Sequence, residues 1–209
     1  MRKLLNPRKY RGALALIFFS IVLAGCSTLP PWSPVPTGQS VVYGQIKESR
    51  RGLTFIAFAD NPGIVAIAVQ NLFAGATPRY AMIADEPARA SIREAVAKFQ
   101  EWSKLATDNQ VEVTREIKTI DMAQMFPRGA GWDAEGTRQV TFVFSARREA
   151  EDTVRITLIL KTSAVFSGSD QILLNPNQAA DLGRYVDKEE VDAGYTQARN
   201  KQNALDMFK

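Results

Sequence analysis

The sequence predicts an α+β domain, mainly antiparallel β, with one helix between two groups of strands and a second helix toward the C-terminus. Three observations carry that expectation. Short runs rich in Val, Ile, Phe and Thr, about seven in all, are separated by tight turn signals, as hairpin-linked strands are. Residues 86–108 repeat apolar side chains at helical spacing. Asn175-Pro176 has the chemistry of a helix cap followed by a first helical position.

Residues 27–39 contain Pro30, Pro31, Pro34 and Pro36 and read as an extended tether of polyproline character, outside any helix or central strand. Its full reach is on the order of 40 Å at about 3.1 Å per residue. Trp32 can sit at a membrane interface or pack on the domain. The domain is expected over residues 40–209, with a first strand at 40–48 and a turn at Ser49-Arg50-Arg51-Gly52. Residues 53–59 form a second strand, with Leu53, Phe55 and Ala57 on one face and Thr54, Ile56 and Phe58 on the other. Asp60-Asn61-Pro62-Gly63 is a turn, and residues 64–70 are a third strand. Strands two and three are apolar on both faces, which places them centrally or between two layers.

A loop over 71–78 leads to a short strand at 79–84. Asp85 then caps a helix that Pro87 suits in its first turn, with Ile92, Ala95, Val96, Phe99, Leu105 and Ala106 as its apolar stripe and Trp102 beside it. Residues 110–120 alternate, with Val111, Val113, Arg115, Ile117 and Thr119 on one face. Residues 121–136 read as a long loop. Strands at 138–146 and 153–161 follow, joined by a charged turn; Val140, Phe142 and Phe144 share a face of the first, and Val154, Ile156, Leu158 and Leu160 a face of the second. A short strand at 171–174 precedes the C-terminal helix from about residue 176, and the residues after 187 extend it or fray. No repeat stands out beyond the tether.

The net charge of +4 belongs to the N-terminus. Arg2, Lys3, Arg8, Lys9 and Arg11 precede residue 26 and no acid does, so the remainder carries 21 basic against 22 acidic residues. A nucleic-acid partner is therefore not expected. A basic start, a run of about 13 apolar or small residues and then Cys26 suit a secretion signal, being short for a span of about 20. Leu23-Ala24-Gly25-Cys26 resembles the lipobox of bacterial lipoproteins. The resemblance covers residues 1–26 and implies cleavage before Cys26, with diacylglycerol on its thiol and a further acyl chain on its amine. Such chains contribute roughly 0.8 kcal/mol per buried methylene, a lasting anchor. Ser27 rather than Asp at the next position implies sorting to the outer membrane, facing the periplasm. Cys26 is the only cysteine, which leaves no intramolecular disulfide.

The chain has no histidine, so Ser–His–acid and Cys–His catalysis are excluded, and the usual donor set of a zinc site is missing. No metal or other cofactor is expected apart from the acyl groups at Cys26. Ser-x-x-Lys does not occur, and the Tyr43-x-x-x-Lys47 spacing lies on a strand without a nucleotide-binding turn. Asp133 and Glu135 could serve a carboxylate-dependent glycan hydrolase. Phe126, Arg128 and Trp132 in the same Gly- and Pro-rich stretch, and more weakly Phe166, have the residue types of an interface anchor. The expectation is a non-enzymatic lipoprotein that binds an envelope protein; the alternatives are a cell-wall hydrolase and a carrier whose doubly apolar strands wall a lipid cavity.

Overall fold

The computed structural model describes residues 34–46, 49–58, 63–71, 78–128, 131–150, 153–164 and 168–207. Four strands come first: β1 (Pro34–Ile46), β2 (Ser49–Phe58), β3 (Val65–Asn71) and β4 (Tyr80–Ala84). Helix α1 (Glu86–Asn109) separates them from β5 (Val113–Arg128), β6 (Gly131–Ala150), β7 (Thr153–Ala164) and β8 (Gly168–Leu174). Helices α2 (Pro176–Tyr185) and α3 (Lys188–Asp206) complete the chain. The strands pair in sequence order, every pair antiparallel. This is the expected α+β class.

The sheet curls into a barrel that is almost closed. Cα atoms of β1 and β8 approach within 8 Å, although no ladder joins them in the strand order. The inner face carries one core from every strand: Val41, Leu53 and Phe55, Val65 and Ile67, Met82, Met122, Phe142 and Phe144, Leu158 and Leu160, Ile172 and Leu174. Ile92, Val96 and Phe99 of α1 and Leu182 and Val191 of α2 and α3 join the same core. The helices thus lie on the concave side and satisfy the apolar face of the sheet. A second, smaller core of Ile56, Phe58, Ala66, Ala68, Ala81, Ile83 and Met125 lies on the opposite face. Leu53 and Phe55 therefore part from Ile56 and Phe58 as the alternation predicts.

The architecture is a fourfold-strand-plus-helix unit used twice, a repeat the sequence did not announce. The end of β4 and the start of α1 correspond to the end of β8 and to α2, ninety residues apart: Met82 and Ile172, Ala84 and Leu174, Asp85 and Asn175, Ile92 and Leu182, and Val96 and Val186, the last just past α2. All but the two Asx residues are buried in the inner core. The Asx residues cap their helices: Asp85 Oδ1 accepts from Ala88 N at 3.0 Å, and Asn175 forms a capping box with Gln178. The junctions between units differ. Strands β4 and β5 pair over Ala81–Ile83, whereas at the β8–β1 seam the Gln178 carboxamide donates to Val42 O.

Several boundaries differ from expectation. Strand β1 starts at Pro34, inside the expected tether. Proline is tolerated because β1 is terminal in the strand order, where one row of N–H groups has no ladder to join. The ladder slips between Pro36 and Ser40, and there Thr37 Oγ1 donates to Phe55 O at 2.8 Å. The turn expected at residues 49–52 belongs to β2, and the loop expected at 121–136 is the end of one long hairpin, β5–β6. Proline and glycine misled there: Pro127 pairs with Trp132 and Gly131 with Arg128. A register shift between Glu116 and Lys118 displaces Ile117, so that Arg115 and Lys118 both lie opposite inner-face phenylalanines, Phe144 and Phe142. Leu105 leaves the predicted helix stripe and is exposed, while Arg89 is buried.

Candidate functional site: the β5–β6 hairpin and the arginine beneath it

Hairpin partners place the expected interface residues at one end of the barrel. Phe126 pairs with Asp133, Pro127 with Trp132, and Arg128 with Gly131. Successive residues face opposite sides of a strand. Phe126 accordingly packs, half-buried, against the inner core, and Trp132, also half-buried, against the outer core beside Met125 and Ile83. The hairpin end is thus fastened to both faces of the sheet, each aromatic keeping part of its surface open. Asp133 and Ala134 are exposed next to them. Cys26, Trp32 and Phe166 lie outside the described residues, and Arg128 is placed by its backbone as the last residue of β5.

A buried polar cluster lies along the same strands. Arg138 is fully enclosed on the inner face, its guanidinium carbon 3.8 Å from the centre of the Tyr80 ring. Its Nη1 donates to Thr162 Oγ1 at 3.0 Å, and that hydroxyl also meets Tyr80 Oη at 3.1 Å. Just outside, Arg79 pairs with Asp170 at 2.9 Å, spanning from the start of β4 to β8. Burial pushes the Tyr80 phenol up to about 12, against the opposing pull of Thr162 and Arg138. The phenol therefore stays protonated across the physiological range. The cluster ties β4 to β6 and β7 across the concave face.

The sequence expectation passed over this cluster, yet strand parity carries it. Arg138 has the parity of Val140, Phe142 and Phe144, and Thr162 that of Leu158 and Leu160. A charged residue in phase with a core stripe is the available signal.

At the α2–α3 elbow, Gly183, Arg184, Asp187, Glu189, Glu190 and Ala193 line an open cleft of about 600 Å³. Arg93 reaches Asp187 at 3.6 Å beside it. Among the described residues no group of three or more His, Cys, Asp or Glu side chains is placed to hold a metal ion. No family model, no curated protein and no solved structure matches the chain.

Proposed function

We propose that this chain is a lipid-anchored envelope protein, held at the outer membrane on the periplasmic side, whose barrel binds another envelope protein without catalysis. The observation that carries the reading is the short sequence separation between Cys26 and the first strand. Strand β1 begins at Pro34, eight positions after Cys26. At about 3.1 Å per residue the link reaches roughly 25 Å, so the domain works close to the bilayer surface. The end of the β5–β6 hairpin supports the binding role: two half-buried aromatics, Phe126 and Trp132, are fixed by packing and flanked by exposed Asp133 and Ala134. Aromatics held in one position bind at low entropic cost.

The test is cross-linking in intact cells followed by purification through a C-terminal tag and mass spectrometry of what is attached. Because Trp132 and Phe126 also pack, the informative variant is Ala134→Arg, which adds bulk and charge to the exposed surface and removes no core contact. A reproducible envelope protein captured by the wild type and lost with Ala134→Arg, at unchanged melting temperature, supports the reading. Capture equal to that of an unrelated lipoprotein refutes it.

A further inference from the structure

Four of the six large exposed hydrophobics among the described residues belong to two places, and both lie at one end of the barrel. The first is the corner between α1 and β5, where Leu105 is 53% exposed, Val111 44% and Val113 38%. Trp102 joins it one turn before Leu105, with its ring edge on Phe144 and Lys98 and Arg115 at 5.5 and 5.4 Å from its centre. Val113 lies two residues before Arg115 on the same strand face. The second is the end of α3, where Met207 is 79% exposed.

The topology fixes which end this is. In an all-antiparallel order β1 and β5 run the same way, so Pro34 and Val113, their first residues, lie at the same end. Helix α3 runs against β1 toward that end: Glu190 O accepts from Gln39 Nε2 at 3.2 Å, and Gly194 then meets Thr37. From Gly194 the helix continues to Asp206, roughly 18 Å at 1.5 Å per residue. From Thr37 to Pro34 the strand covers only about 10 Å. The last turns of α3 therefore extend past the point where the chain enters the sheet, and Met207 follows them.

We propose that this end of the barrel rests on the lipid bilayer, with the Trp102–Leu105–Val111–Val113 corner and the end of α3 entering the headgroup layer. The proposal builds on the anchoring reading and adds the orientation of the domain. The residue set fits a bilayer interface: a tryptophan with aliphatic neighbours and long cations that can reach back to headgroups. Lys98, Lys104, Arg115 and Arg148 border the corner, as do Glu101, Asp108 and Glu112. Arg199 and Lys201 are exposed on α3. The corner is thus close to electroneutral, so apolar contact drives docking and added salt leaves it in place. Among the described residues no helix is long and apolar enough to cross a membrane; the contact is one of resting on the surface.

The experiment places a polarity-sensitive fluorophore on Leu105→Cys, on Met207→Cys and, as reference, on Ser163→Cys, which is exposed near the far end of β7. The acylated chain is bound to vesicles of phosphatidylethanolamine with a minor share of phosphatidylglycerol, with and without brominated acyl chains. Labels at 105 and 207 that shift to the blue and are quenched by bromine, with the label at 163 unchanged, are the expected result. Labels at 105 and 207 that stay in water overturn it. Shielding that appears only when envelope proteins are added also overturns it, in favour of a protein occupant. Mass spectrometry of Cys26 decides the anchor separately. If that residue carries no acyl group, the chain is held on the same vesicles through an N-terminal tag, and the labels still decide the docking.

Discussion

Gly194 of α3 stands so close to Thr37 of β1 that a Cβ on the glycine would lie 2.9 Å from the threonine Cβ. Alanine inside a helix normally gains about 0.5–1 kcal/mol over glycine. Here the clash is with a strand rather than a flexible side-chain tip, and Gly194→Ala is expected to lose about 1–3 kcal/mol in urea denaturation. Gly183 is the contrasting case. Its added methyl would meet Val96 Cγ1 at 3.1 Å, a contact that relaxes more readily, so Gly183→Ala falls within about 1 kcal/mol of wild type. Equal losses at the two sites would refute the tight α3–β1 contact.

Tyr80 governs alkaline stability. Its folded value of about 12 lies above the ordinary value of 10.0 for a tyrosine because burial disfavours the phenolate. The folded state then holds a proton that the unfolded chain has released, so stability falls as pH rises from about 10 toward 12. Below pH 10 the contribution is complete. Absorbance titration should show Tyr80 ionising late. Tyr80→Phe should flatten the loss of stability in that window, and an unchanged slope would remove Tyr80 as its source.

Arg138 should be among the least replaceable residues of the second unit. Arg138→Ala removes the stack on Tyr80 and the hydrogen bond to Thr162 and is expected to cost about 2–5 kcal/mol through the cavity left and the lost bond. Arg138→Lys keeps the charge but not the planar fork, and should recover only part of that loss in the same denaturation assay.

The two helix caps make a matched pair. Asp85→Ala and Asn175→Ala each break a side-chain bond to the third helical residue and should each cost about 1 kcal/mol. Thermal unfolding of the two single variants checks the equivalence of the units; a cap that costs nothing would break the parallel.

Legibility followed periodicity. Helix α1 was predicted within a residue of its observed ends because Asp85, Pro87 and the Ile92–Val96–Phe99 spacing agree. The faces of β2, β6 and β7 were readable for the same reason, each having one uninterrupted alternation. Sequence reasoning failed where a ladder overrides local composition. Pro34 and Pro36 belong to a strand because an edge needs fewer N–H donors, and Pro127 and Gly131 because hairpin pairing continues through them. Ile117 reversed the phase of β5 through a bulge that no local pattern marks. At the candidate site, Phe126 and Trp132 were identifiable as residues, but their packing on opposite faces depends on the register of the whole hairpin. The Tyr80–Arg138–Thr162 cluster joins three strands and required the curl of the sheet.

The open seam gives the barrel a direction of failure. A pull at residue 34 acts on a strand that has a ladder on one side only, beginning with the pair Pro34 and Phe58. Load applied there is carried by that single ladder. Strand β1 would therefore yield first, with Gln178 on Val42 and α3 on Thr37 as its restraints. Amide exchange should show the same hierarchy at rest: fastest along β1, slowest in β6 over residues 139–146, which pair with both β5 and β7.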